Sequence, residues 1–341
     1  MGQTEHLVNI RGHDLRITGD DADGLTHNLP RVVHEAVLEY AAAVLPRDAT
    51  VLDLGANLGW VAAGFALIVD HGTVVAVEAS PTTFAHLEHN MRAAGLQNVT
   101  LINAAASDTA GTLEFFDNEW FSAGSFVKES TLAAEVHVGA VKVPAVTVDE
   151  LVAQLSLDRV DFIKIDIEGH ELPALRGARD TLERFRPSAM IEMNLFTTTS
   201  FGNTLPLDFL SEICAVFPYV YDYRFDVGLF PIASEADMYG RVQSQFISGL
   251  PTDLICRFDP LPDDARDALA AALSAVPAPD PTEVDLGHTR EALARTQRAL
   301  AIAEDKVRAL EGSTSWKMTA PARWMSDRVR ALRAHRRGVN G

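Results

Sequence analysis

Two stretches of this chain have residue types and spacings suited to chemistry. In the first, Val51-Leu-Asp-Leu-Gly-Ala-Asn-Leu-Gly59, an apolar run leads into a glycine-flanked turn, and Glu78 closes the next apolar run, Thr73-Val-Val-Ala-Val77. Glycine lets backbone approach a ligand with no Cβ in the way. In a doubly wound sheet such a turn and such an acid both lie at strand C-termini, where ligands bind. A carboxylate there can accept hydrogen bonds from two ribose hydroxyls. A dinucleotide turn requires Gly-x-Gly-x-x-Gly, but here Asn57 stands at the middle glycine position and the spacing is Gly55-x-x-x-Gly59. The chain also lacks the Gly-x-x-x-x-Gly-Lys-[Ser/Thr] phosphate loop. The pattern suits a nucleoside cofactor without phosphates, such as S-adenosylmethionine. Taken alone, the turn also reads as an ordinary strand-to-helix connection of another α/β protein.

The second stretch is Asp161-Phe-Ile-Lys-Ile-Asp-Ile-Glu-Gly-His-Glu171. Asp166, Glu168 and His170 follow a short apolar strand, and such groups serve as general acids or bases or as metal ligands. Continued strand alternation would put the three on one face, although Gly169 is placed to turn the chain. Glu171 reads more simply as an acid opening the next helix, where it complements the helix dipole. No spacing here is specific to a metal, so none is expected.

These residues need a scaffold, and the remaining pattern describes one. Short apolar runs at Val51–Leu54, Thr73–Glu78, Val99–Ala105, Phe162–Ile167 and Ala189–Met193 alternate with amphipathic segments. That is the signature of a mainly parallel sheet covered on both faces. Leu113–Val148 breaks the rhythm with three β-like runs and reads as an insertion over the sheet. Leu7–Ile17 reads as a hairpin and Pro30–Leu45 as a helix. A helix at Leu207–Phe217, late strands at Tyr219–Tyr223 and Leu254–Phe258, and a helix at Asp263–Val276 complete the body. Five segments are expected: 1–45, hairpin and helix; 46–276, the α/β domain; 277–285, a proline-rich linker; 286–312, an amphipathic helix with a weak heptad stripe; and 313–341, a basic tail containing tryptophan.

The 341 residues carry a net charge of −18. Seven Lys/Arg and one acid give 313–341 a charge of +6, leaving −24 on the rest. So acidic a body is a poor platform for nucleic acid. Cys214 and Cys256 are too few for a disulfide framework and read as inert core thiols. The N-terminus shows no basic-then-apolar leader, so a cytoplasmic location is expected.

Val51–Gly59, Glu78, Ala106-Ser107-Asp108, Thr147-Val-Asp-Glu-Leu151 and Phe162–Glu171 occur together and in order. In this combination the chain resembles the FkbM-type methyltransferases, a branch of the class I S-adenosylmethionine-dependent enzymes, over about residues 30–260. The resemblance implies a Rossmann-like, doubly wound sheet of seven strands, to which the run pattern adds a β insertion after the third strand and a C-terminal helical extension. It also implies roles. Gly55, Ala56, Asn57 and Gly59 would pass under the methionine and ribose, and Asp53 would orient the turn or the cofactor's amino group. Glu78 would hold the ribose hydroxyls, Ser107 and Asp108 would flank adenine, and Asp166 would lie near the sulfonium. The acceptor class implied is a hydroxyl of a sugar, glycan, glycolipid or related natural product.

A neutral hydroxyl attacks better with a base beside it, and His170, with an intrinsic pKa of about 6.5, suits that task; Asp166 or Glu168 are the alternatives. The tail Ser313–Trp324 is similar to a short tail on bacterial surface-polysaccharide enzymes. Trp316 and Trp324 among arginines suggest peripheral contact with the inner face of a membrane or with such enzymes. The heptad stripe over 286–312 suggests self-association. Two other readings stay open: a non-catalytic scaffold of a polysaccharide-synthesis complex, and a nucleotide-dependent oxidoreductase.

Overall fold

A computed structural model describes residues 2–21, 23–29, 36–117, 125–127, 140–224 and 228–275. All of them fall in one compact unit, Met1–Val276. The expected linker, heptad helix and basic tail lie outside the described residues, as does the first part of the expected helix Pro30–Leu45.

The strands, in chain order, are β1 (Gln3–Ile10), β2 (His13–Asp20), β3 (Thr50–Leu54), β4 (Thr73–Glu78), β5 (Val99–Asn103), β6 (Ala105–Ala106), β7 (Gly111–Phe116), β8 (Phe126–Val127), β9 (Ala140–Val146), β10 (Phe162–Ile165), β11 (Ser188–Met193), β12 (Tyr219–Arg224), β13 (Gly228–Pro231) and β14 (Thr252–Arg257). The main sheet runs β13-β12-β14-β11-β10-β3-β4-β5. It therefore has eight strands, one more than the resemblance implies, because β13 folds back on β12. Its centre is parallel from β5 through β4, β3 and β10 to β11. β14 then enters antiparallel against both β11 and β12.

Both faces of this sheet are apolar, so its strands are continuous hydrophobic runs, with consecutive side chains burying on opposite sides. Val51, Val74, Ala76, Phe162 and Met190 point to one core, packed by helices Ala36–Val44 and Trp60–Ile68 and by Leu269 of helix Asp263–Ala275. Leu52, Leu54, Val75, Val77, Ile163 and Ile191 point to the other, under helices Val148–Gln154, Glu171–Arg176, Arg179–Phe185 and Pro206–Val216. The segment that interrupts the alternation forms its own sheet, β6-β9-β7-β8, with Phe115, Val127 and Val143 as a small separate core. The chain also forms helix Glu235–Ser248, capped by Ser234, which the sequence reading does not anticipate.

The strands β3 and β10 lie side by side, and the turns after them almost touch. Gly55 has φ +85°, and a Cβ placed on it would sit 1.9 Å from the carbonyl oxygen of Asp166. No L side chain fits that gap. Gly95 also has a positive φ, +67°, but a Cβ there would meet nothing within 4 Å. Gly55→Ala is therefore expected to lower unfolding free energy by about 2–5 kcal/mol, against about 1–2 kcal/mol for Gly95→Ala. Urea denaturation of the two variants checks this, and equal losses would show that the close approach is unimportant.

Candidate functional site

A cavity opens at the C-terminal ends of β3, β4, β10 and β11, roofed in part by the small second sheet through Phe115, Ser125 and Val127. Its floor is the turn after β3. Gly55 and Ala56 donate their amides to the carbonyl of Val77 at 2.9 and 3.0 Å, lashing the turn to β4. Asn57 takes φ +49°, a left-handed conformation that asparagine tolerates better than most residues, and its Oδ1 accepts from the amide of Leu58 at 2.7 Å. Gly59 then opens helix Trp60–Ile68.

Glu78 stands at the end of β4 and is nearly buried. Its two oxygens accept one backbone amide each, Oε2 from Asn57 at 2.9 Å and Oε1 from Ser80 at 2.8 Å. Each carboxylate oxygen has two lone pairs, so each keeps one for a ligand. Asn103, opposite Glu78 on β5, donates to the Glu78 carbonyl at 2.8 Å and fixes the strand end. Burial pushes the Glu78 carboxyl up to about 7, against the pull of the two amides.

The far wall comes from β10 and the turn behind it. The strand ends at Ile165, so Asp166, Glu168 and His170 do not alternate on one face. Glu168 and Gly169 take φ +54° and +98° and reverse the chain. Glu171, fully inside, accepts the amides of Ile167 at 3.2 Å and Gly169 at 2.9 Å and thereby shapes the turn. Burial raises its carboxyl to about 7 as well. His170 lines the cavity, and its Nε2 shares a 2.9 Å hydrogen bond with Oγ of Ser107.

Lys164 is the cation that holds this region together. Its Nζ lies 3.1 Å from Oδ2 of Asp166 and 3.6 Å from Oδ1 of Asp53. Asp53 has no exposed surface, and burial raises its carboxyl while Lys164 pulls it back down.

The cavity thus gathers Gly55, Ala56, Asn57, Glu78, Asp166, Glu168 and His170. Four other expected site residues fall elsewhere. Asp53 lies against Lys164 under the cavity floor and is not part of the lining. Gly59 packs against helix Pro81–Ala94, where a Cβ would strike Leu87 and Met91. Ser107 is buried behind the wall against His170, and Asp108 is exposed beyond it; the stretch after β5 that lines the cavity is Ala104–Ala106. The reason is the cross-over of the chain into the second sheet, where β6 turns Ser107 inward to meet the β9 carbonyl of Val146.

Two residues were not anticipated in the site. Lys164 sits on a strand that reads as apolar. Glu192 is the one acid in the run Ser188–Met193 and reaches the cavity from β11. An acid near the C-terminal end of a central apolar strand was the available signal.

No group of three or more His, Cys, Asp or Glu among the described residues has the arrangement of a metal site. Likewise, no helix among them is long and apolar enough to cross a membrane.

The chain resembles known methyltransferases in sequence. It is 29% identical over 178 residues to the hexuronic acid methyltransferase AglP of Haloferax volcanii, covering 52% of this chain and 70% of that one. It is 25% identical over 150 residues to the 2-O-methyltransferase NoeI of Sinorhizobium fredii, covering 41% of this chain and 61% of that one. Among solved structures, methyltransferase FkbM of Methylobacillus flagellatus aligns with TM-score 0.39 and 17% identity, over 70% of this chain and 55% of that one.

The charge arrangement yields a stability prediction. Lys164→Met strands Asp53 in the interior and is expected to cost about 3–5 kcal/mol of unfolding free energy in urea. Adding Asp53→Asn to that variant should recover part of the loss; no recovery would mean that Lys164 matters for packing alone.

The Methyltransferase FkbM domain matches residues 53–225, more than half of the sequence, from the end of β3 through β12, so this chain belongs to the FkbM methyltransferase family.

Proposed function

We propose that the protein transfers the methyl group of S-adenosylmethionine to a hydroxyl oxygen of a sugar. The observation that carries this reading is the sign of the cavity. Among the described residues, its lining sets the single cation Lys164 against Glu78, Asp166, Glu168 and Glu192. Four acids against one cation let the lining carry net negative charge, fully so only once Glu78 and Glu192 ionise, and that charge attracts a sulfonium and repels the diphosphate of a dinucleotide. The charge balance therefore argues against the oxidoreductase reading. The intact amide cradle around Glu78 argues against a non-catalytic scaffold.

S-adenosylmethionine supplies an activated methyl group on a positively charged sulfur. Glu78 would accept the two ribose hydroxyls on the lone pairs its backbone bonds leave free. The Gly55-Ala56 backbone would pass beneath the donor, with no side chain larger than methyl there. Asp166, held at the rim by Lys164, would face the sulfonium. Methyl transfer is an in-line displacement, so holding donor and acceptor in line supplies much of the acceleration. A sugar acceptor is supported by the naming of one relative as a hexuronic acid methyltransferase. The reading is tested by incubating the full chain with methyl-labelled S-adenosylmethionine and a panel of methyl pyranosides and methyl glucuronides. Label in a methyl ether supports it, and label in none of them contradicts it.

The Glu78 carboxyl gives a pH signature. Only its ionised form accepts both hydroxyls well, and that form gains as pH rises through about 7. Affinity for S-adenosylmethionine, measured by calorimetry, should therefore strengthen from pH 6 to pH 8 and level off above. Glu78→Gln should weaken binding by about 10- to 100-fold, the worth of hydrogen bonds to a charged group, and flatten the profile below pH 8. An unchanged affinity in that variant would contradict the ribose assignment.

A further inference from the structure

We infer that Glu192 is the group that takes the proton from the acceptor hydroxyl, an inference that rests on the methyl-transfer reading. Four observations converge on it. First, register puts Ile191 beside Ile165 in adjacent parallel strands, so Glu192 and Asp166 are the next neighbours at the strand ends. Second, Glu192 lines the same cavity as Gly55, Glu78 and Asp166. Third, its Oε2 is buried and has no hydrogen-bond partner among the described residues, which is costly for a carboxylate oxygen unless a ligand supplies one. Fourth, its backbone is held firmly. Glu192 pairs with Asp253 of β14, and Gln245 of helix Glu235–Ser248 donates to the carbonyl of Met193 at 2.6 Å.

Two of the other candidate bases are engaged. Asp166 is paired with Lys164, and the Nε2 of His170 is held by Ser107. Glu171 is spent on the turn amides. His170 then acts as a positioning residue of the wall.

Asp166 and Glu168 from the turn after β10, Glu171 from helix Glu171–Arg176 and Asp253 from β14 act on Glu192, and Lys164 of β10 lines the same cavity. Burial first, and then these four acids, push the Glu192 carboxyl well above its ordinary range. A carboxylate so placed is a stronger base than one in water. The step balances. The hydroxyl oxygen forms a bond to the methyl carbon, the carbon–sulfur bond breaks with its electron pair left on sulfur, and the hydroxyl proton passes to Oε2 of Glu192. One positive and one negative charge disappear together, so a poorly solvated cavity gains from the transfer.

The test uses the full chain, S-adenosylmethionine and S-adenosylhomocysteine. Both ligands carry the same ribose and adenine, so Glu78 responds equally to them, and only the first carries the sulfonium. Calorimetry at pH 7 in buffers of different ionisation enthalpy counts the protons released on binding. Wild type should release more for S-adenosylmethionine than for S-adenosylhomocysteine, and Glu192→Gln should lose that difference while still binding both. With any pyranoside that wild type methylates, Glu192→Gln should lower kcat about 100-fold or more with little change in KM. It should also lose the acid limb of the kcat profile. Equal proton release in wild type and variant, or a kcat within about threefold of wild type, overturns the assignment. Failure of wild type to bind S-adenosylmethionine, or to methylate any sugar, overturns the methyl-transfer reading itself.

Discussion

The site depends on one close approach. The backbone of Gly55 runs so near the carbonyl of Asp166 that a Cβ between them would lie 1.9 Å from the oxygen. This contact draws together the turns after β3 and β10, which are adjacent parallel strands. It sets the floor of the cavity against its wall and brings Lys164 under both, with Nζ 3.5 Å from the Gly55 carbonyl. The amide lashing to Val77 then carries the constraint one strand further, to Glu78. From a single steric fact the relative positions of the turn, Glu78 and Asp166 follow.

Onto that frame the chain loads more negative charge than it neutralises. Burial raises the carboxyls of Asp53, Glu78, Glu171 and Glu192 together. For Glu78 and Glu171 the rise is from 4.5 to about 7. Across that window the folded chain keeps protons that the unfolded chain has released, so their contribution to stability falls as pH rises through it. The fold is thus least favoured by these groups at the pH where the carboxylates are available. The sulfonium donor proposed for this site would offset that loss, because a cation favours the ionised carboxylates.

Much of this was legible in the sequence, for identifiable reasons. Continuous apolar runs ending in glycine or acid mark buried parallel strands, so β3, β4 and the segment after β10 could be placed with their turns. The acid Glu78 stands out because it interrupts apolar surroundings. The Thr147–Leu151 motif, by contrast, is structural. Thr147 and Glu150 form a reciprocal cap, and Asp149 accepts the amides of Asp180 and Thr181. What could not be read was partnership across the chain. Nothing in spacing says that Ser107 meets His170, or that Asp53 meets Lys164. Ala104–Ala106 line the cavity with small side chains that carry no chemical signature. Glu192 carries no signal of its own, because one acid in an apolar run points to no partner until the neighbouring strand is known.

The central claim is that Glu78, braced by the amides of Asn57 and Ser80, faces the ribose, while the acids of β10 and β11 face the sulfur. A crystal structure of the full chain with S-adenosylhomocysteine tests it most directly. The account predicts both ribose hydroxyls within hydrogen-bond distance of the Glu78 carboxylate, and the thioether sulfur turned toward Asp166 and Glu192. A ribose bound away from Glu78, or a sulfur facing away from those two acids, would contradict it.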